Sequence, residues 1–187
     1  MRLVLLGPPG AGKGTQGQAL ATLLSVPHVS TGDIVRDHVA RQTEFGRKVE
    51  AAIAAGNFAS DADILYWVGV RLAEPDAGDG YILDGFPRDV AQAQAFTQTL
   101  NAVIDLEIAE EALVARLSKR LIRDDKTGAM VRRPDDEPDA VRHRLEVYKE
   151  RTAPLQAYYE QRSLLKRVDA LGEPGAVTER IKHALAI

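Results

Sequence analysis

The 187-residue chain has no cysteine, so it can form neither a disulfide nor a thiolate metal site, and a cysteine-ligated zinc is excluded. Such a chain suits a reducing compartment, and a cytoplasmic location is the expectation. Aromatic residues are scarce at 5%, and there is no positive surplus: 24 Lys and Arg stand against 27 Asp and Glu, a formal net charge of −3. Binders of nucleic acid or anionic lipid usually carry a basic excess, so neither is expected as a partner. Long apolar runs are missing too. The run from Met1 to Leu6 breaks at glycine and prolines, too short for a signal peptide or a spanning helix, and it reads as a buried strand.

What is present is the composition of a globular protein, 45% apolar and 27% charged. The length suits one sizeable core with smaller inserted lobes. Short branched runs at Leu3 to Leu6, Tyr81 to Leu83 and Val103 to Ile108, with a weaker one at Leu165 to Val168, alternate with longer amphipathic stretches. That alternation predicts an α/β fold, a parallel sheet with helices on both faces. A first helix is expected from near Lys13 to about Ser25, with Leu20, Leu23 and Leu24 facing the sheet. Two short helices are expected through Ile34, Val35 and Val39 and through Phe45, Val49 and Ile53, forming an inserted lobe. The helical pattern from Val141 to Tyr158 contains Pro154, which should kink or split it, and a last helix should follow Pro174. Between Leu121 and Asp139 apolar periodicity fails, as in a surface excursion. Asp135 and Asp136 there could cap the helix that follows.

The chemistry concentrates where the first strand ends, in Gly7-Pro8-Pro9-Gly10-Ala11-Gly12-Lys13-Gly14-Thr15. Successive backbone N–H groups wrap a polyphosphate only where bulky side chains are absent, and a helix N-terminus adds partial positive charge. Lys13 would reach the outer phosphates as a point charge. Gly14 follows the lysine where the general motif has a hydroxyl, which comes one residue later at Thr15, so direct Mg²⁺ ligation by that hydroxyl is not assumed. His28, His38, His143 and His183 are scattered and read as structural.

The GxPGxGKGT loop resembles that of the nucleoside monophosphate kinases. Ser30-Thr31-Gly32-Asp33 with Arg36, Asp84-Gly85-Phe86-Pro87-Arg88 with Gln92, and Arg133-Pro134-Asp135-Asp136 with Arg144 resemble the adenylate kinase family in order and spacing. The resemblance implies a P-loop three-layer fold with a five-stranded parallel sheet. Its core would comprise residues 1–29, 60–120 and 133–187, with an AMP-binding helical lobe at 30–59 and a short lid without zinc at 121–132. The activity implied is reversible phosphoryl transfer from ATP to AMP by a monomer.

By the same resemblance, the catalytic set is Lys13, Asp84, Arg88, Arg120, Arg133 and Arg144. ATP would be held by Gly10, Ala11, Gly12, Lys13, Gly14 and Thr15, with Arg116, Arg120 and Gly172 near its adenine and phosphates. AMP would be held by Thr31, Arg36, Asn57, Phe58, Ala59, Gly85, Phe86, Pro87, Arg88 and Gln92, and by Arg133 and Arg144. Mg²⁺ would arrive with ATP and meet Asp84 through its bound water. A phosphate oxygen attacks in AMP phosphorylation, so no general base is required and arginine forks suit the task.

Gln92 offers the donor and acceptor that match an adenine edge, and Thr31 stands where pyrimidine kinases usually carry alanine. The rival activities are a UMP/CMP-type or broad nucleoside monophosphate kinase and, from another class, a P-loop nucleotide switch or binding module. The chain lacks the Asn-Lys-x-Asp pattern of guanine-reading switches.

Overall fold

The computed structural model describes the chain except residues 55, 56, 58, 120, 121, 124–128 and 132–136, and except the side chains of 114, 115, 118, 119, 122 and 123. The order is β1 (Arg2–Leu6), α1 (Lys13–Leu24), β2 (His28–Ser30), α2 (Thr31–Ala40), α3 (Glu44–Ala54), α4 (Asp61–Leu72), β3 (Tyr81–Asp84), α5 (Val90–Ala95), β4 (Ala102–Glu107) and α6 (Glu110–Lys119). There follow β5 (Ile122–Arg123), β6 (Met130–Val131), α7 (Pro138–Val147), α8 (Pro154–Glu160), β7 (Leu165–Asp169) and α9 (Pro174–Leu185).

Five strands form one sheet in the order β2-β3-β1-β4-β7, and every pairing is parallel. The fifth, β2, is three residues long and no apolar run marks it; its identity comes from pairing with β3, His28 opposite Ile82 and Ser30 opposite Asp84. Alternate side chains of a strand point to opposite faces. Leu3 and Leu5 join the layer containing Leu20, Leu117, Leu145 and Ile181, whereas Val4 and Leu6 join the layer containing Val35, Val68, Leu155 and Tyr159. The result is the expected three-layer α/β arrangement.

Helix α1 corrects one expectation. Its inward stripe runs through Gln16, Gly17 and Leu20, with Leu24 packed alongside, while Leu23 lies one position around the axis and is 48% exposed. Helix α4 was not anticipated; Ser60 caps it by accepting from the Asp63 N–H at 3.2 Å. The stretch around Pro154 divides as expected: α7 gives way to a π-helical turn at Tyr148–Thr152, and Pro154 opens α8 at a position that needs no N–H donor. Pro174 opens α9 in the same way. In the excursion after α6, Ile122 pairs with Val131 and Arg123 with Met130 in a short antiparallel ladder that apolar periodicity did not mark. Glu137 stands at the N-cap of α7 without a side-chain cap; Asp135 and Asp136 lie outside the described residues.

Candidate active site

Parallel pairing brings the carboxyl ends of the strands to one edge of the sheet, with Leu5 opposite Asp84 and Leu6 opposite Asp105. Since β1 lies between β3 and β4, the loop that follows it opens where the chain's path reverses direction across the sheet, which is where open parallel sheets bind ligands. A cleft of about 870 Å³ occupies this edge.

At one end stands the glycine loop. Gly12 is the N-cap of α1 in a left-handed conformation (φ 100°) with no side chain satisfying the first turn, so the orphan N–H groups remain open to an anion. The Lys13 ammonium donates to the Gly7 and Pro8 carbonyls at 2.7 and 3.0 Å, which holds it across the loop. Gly10, Ala11, Gly14 and Thr15 also line the cleft. Arg116, on α6, donates to the Ala11 carbonyl at 3.4 Å, to Ala170 at 2.8 Å and to Gly172 at 3.4 Å. It therefore ties the glycine loop to the loop after β7, and both Arg116 and Gly172 face the cleft.

The middle and far end of the cleft set the carboxylates of Asp84 and Asp33 among basic side chains. Asp84, 8% exposed, closes β3, and its Oδ2 lies 3.5 Å from His28 Nε2. His28 packs over Gly17, where any Cβ would approach Nε2 to 2.4 Å, so the imidazole and the first helix share their space. Gly85 follows at φ 80°, and a Cβ there would meet the Thr31 hydroxyl at 2.6 Å. Thr31 is buried and donates that hydroxyl to the Gly85 carbonyl at 2.9 Å, joining the start of α2 to the end of β3. Ser30 caps α2, accepting from the Asp33 N–H at 3.2 Å.

Arg88 is fixed at three backbone or side-chain points. Its N–H donates to Gln92 Oε1 at 2.8 Å, its carbonyl accepts from the Thr152 hydroxyl at 2.8 Å, and its Nε donates to the Gly85 carbonyl at 2.8 Å. Burial and the neighbouring guanidinium of Arg144 push its pKa down to about 10, with Arg36 and Arg151 acting in the same direction and Asp84 against them. Arg36, Arg88 and Arg144 all line the cleft, so like charges gather at its far end, with Asp33 paired to Arg36 and Asp84 nearby.

The remaining expected residues divide. Asn57 and Ala59 reach the cleft, and Asn57 Oδ1 also meets His143 Nε2 at 2.8 Å. Pro87 lines it, but Phe86 is a core residue at 0% exposure, edge-on to Phe96. Gln92 is 2% exposed and sits behind Arg88. Phe58, Arg120 and Arg133 lie outside the described residues.

Sequence reasoning missed the group behind Arg88: Asp61, Asp89 and Arg151, with Gln92 among them. Arg151 donates to both Asp61 oxygens at 3.1 Å and to Asp89 Oδ2, while Asp89 Oδ1 accepts from the Gln92 N–H at 2.8 Å. Nothing local signals this cluster, since an acid at a helix start is ordinary and Arg151 is 90 positions from Asp61.

The donor set suits magnesium brought by a nucleotide. One buried carboxylate, Asp84, stands 3.7 Å from where a Gly14 Cβ would be, and among the described residues no group of three or more His, Cys, Asp or Glu converges into a metal cage. Mg²⁺ is ordinarily held by phosphates and water with one or two carboxylates, so this sparse set fits it.

A parallel sheet whose first strand runs into a glycine loop and helix, with a basic cleft beyond, defines a P-loop nucleotide-binding protein. The adenylate kinase family model matches residues 5–164. The chain is 46% identical to the adenylate kinase of Thermobifida fusca (strain YX) over 99% of this chain and 98% of that protein, and 45% identical to that of Xanthomonas oryzae pv. oryzae (strain MAFF 311018) over 99% of each. The adenylate kinase of Agrobacterium fabrum (strain C58 / ATCC 33970) is 44% identical over 99% of this chain and 97% of its own length. The chain belongs to the adenylate kinase family, whose members are phosphotransferases.

Proposed function

We propose that the chain catalyses reversible phosphoryl transfer from ATP to AMP, giving two ADP, by direct in-line displacement within the cleft. The observation that carries this reading is the cleft itself: a phosphate loop at one end, a cluster of Arg36, Arg88 and Arg144 at the other, and about 870 Å³ between them. That volume is toward the top of the range of roughly 300–1,000 Å³ common for ligand pockets, as two nucleotides would need.

In this reading the glycine loop from Gly10 to Thr15 and Lys13 hold the ATP phosphates, while Arg116 and Gly172 flank its adenine. Arg36 and Arg88 clamp the AMP phosphate, and Arg144, with Arg120 and Arg133, lies against the transferring group. The nucleophile is an ionised phosphate oxygen, so the work of the chain is alignment and neutralisation of charge. Mg²⁺ bound with ATP would offset charge on the phosphates, and Asp84 would accept hydrogen bonds from its water. Thr31, Gln92, Gly85 to Pro87 and the backbone of Asn57, Phe58 and Ala59 form the AMP side. Residues 30–59 and 121–132 act as closing lobes that keep water from the phosphoryl group. The enzyme acts as a cytoplasmic monomer without structural zinc; the lack of cysteine is what supports the compartment and the metal statement.

A side-by-side assay with AMP, CMP, UMP and GMP, at fixed ATP and Mg²⁺, tests the reading. AMP should be turned over fastest. Faster turnover of UMP would make this a pyrimidine kinase, and tight GTP binding without transfer to any monophosphate would make it a switch or binding module.

A further inference from the structure

The geometry points to Asp61 as the positioning residue that fixes the orientation of the Gln92 carboxamide and thereby sets the choice between a 6-amino and a 6-oxo purine. This rests on the reading that Gln92 meets the base of the monophosphate. A carboxamide can flip, exchanging its oxygen and its NH₂, and the two orientations present opposite patterns to a ligand. Here two fixed partners remove that freedom. The Arg88 backbone N–H can only donate, and it is 2.8 Å from Oε1; the Asp61 carboxylate can only accept, and its Oδ1 is 2.6 Å from Nε2. A flipped amide would set donor against donor and acceptor against acceptor, losing both bonds. At 2% exposure, water does not compensate that loss.

The locked orientation leaves one N–H on Nε2 and one lone pair on Oε1 without a partner among the described residues. These complement the N1 acceptor and 6-amino donor of adenine. Hypoxanthine and guanine carry the reverse, an N1 donor and a 6-oxo acceptor, and would require the flip. The same Asp61 Oδ1 also accepts from Arg151 at 3.1 Å, and Arg151 reaches across to Asp89, whose second oxygen holds the Gln92 backbone. The cation thus keeps two carboxylates together beside one amide. Arg151 sits on the π-helical turn Tyr148–Thr152, which separates α7 from α8 and turns this side chain toward the start of α4.

The test is the ratio of kcat/KM for AMP to that for IMP at fixed ATP, in the parent chain and in Asp61→Ala, Asp61→Asn and Gln92→Ala. Asp61→Ala should lower the ratio by about tenfold or more, chiefly through KM for AMP, the size expected for losing one well-placed base contact. Asp61→Asn should keep most of it, because its oxygen can occupy the Oδ1 position and still accept from Nε2 and Arg151. A purely structural role at the start of α4 would slow both substrates and leave the ratio unmoved. If Gln92→Ala collapses the ratio and Asp61→Ala leaves it intact, positioning by Asp61 is overturned and base reading by Gln92 stands. If Gln92→Ala also leaves it intact, base reading itself fails, and the inference fails with it. A measurement on the parent chain needs no variant to fold: by NMR, one Gln92 side-chain N–H proton should be shifted downfield and protected from solvent exchange, and rapid exchange of both protons would overturn the bond to Asp61.

Discussion

Arg88 shows how a single residue carries both cost and function. Its backbone is held on either side by Gln92 and Thr152, so the guanidinium is delivered to one place among Arg36 and Arg144. Burial and those like charges lower its pKa to about 10, meaning that its surroundings in the protein disfavour the cation. A phosphate dianion favours the cation, so AMP binding should draw a proton onto Arg88 at high pH. Affinity for AMP is then expected to be flat from neutrality to about pH 9 and to fall as pH rises through about 10, measurable by calorimetry or as KM. A flat affinity across that window would remove Arg88 from phosphate binding. Arg88→Ala should lower turnover by about 10²–10³-fold, the scale for losing one preorganised donor to developing charge, and near-normal turnover would refute that role. The sequence displayed Arg88 inside a compact motif together with Gly85 and Gln92, whereas a third partner that holds it, Thr152, lies 64 positions away in the chain.

Among the elements, α1 gives the sharpest contrast between pattern and packing. Leu20 is fully buried under the sheet and Leu23 is 48% exposed, although both appear in the same leucine-rich stretch. Leu20→Ala should cost about 2–5 kcal/mol in a denaturant melt, while Leu23→Ala should stay within about 0.5 kcal/mol. Equal costs would mean that the helix sits at a different rotation. The long strands and the division at Pro154 were legible because apolar alternation and proline act locally. The strand β2 and helix α4 were not: β2 is too short to show alternation and exists through its ladder to β3, and α4 presents only Ile64 and Val68 to the core as fully buried positions. The ladder of β5 and β6 likewise comes from pairing, not from pattern.

At the scale of the molecule, the cleft lies at a sheet edge that only the chain's path creates. The proposed closure over it by residues 30–59 and 121–132 predicts that a two-headed adenosine polyphosphate, bridging both ends, compacts and stabilises the protein. At 100 times its dissociation constant such a ligand adds about 2.7 kcal/mol, and each kcal/mol raises the midpoint by about 2–4 °C for a chain of this size. Differential scanning fluorimetry reads the second effect, and small-angle scattering should report a smaller radius of gyration. A bound ligand that leaves the radius unchanged would remove the closing lobes from the account.

The sequence alone determined the phosphate loop, since cradling a polyphosphate is a demand on consecutive backbone groups and can be met only by residues adjacent in the chain. Its compact motifs also marked which arginines are candidates for anion binding, and the absence of cysteine excludes a thiolate metal site. Tertiary structure decided the rest. It assigned β2 to its neighbour, turned Leu23 outward, set His28 beside Asp84, and gathered Asp61, Asp89, Gln92 and Arg151 behind Arg88. Those groupings depend on which distant segments meet across the sheet edge, and no local propensity encodes a meeting of residues 90 positions apart.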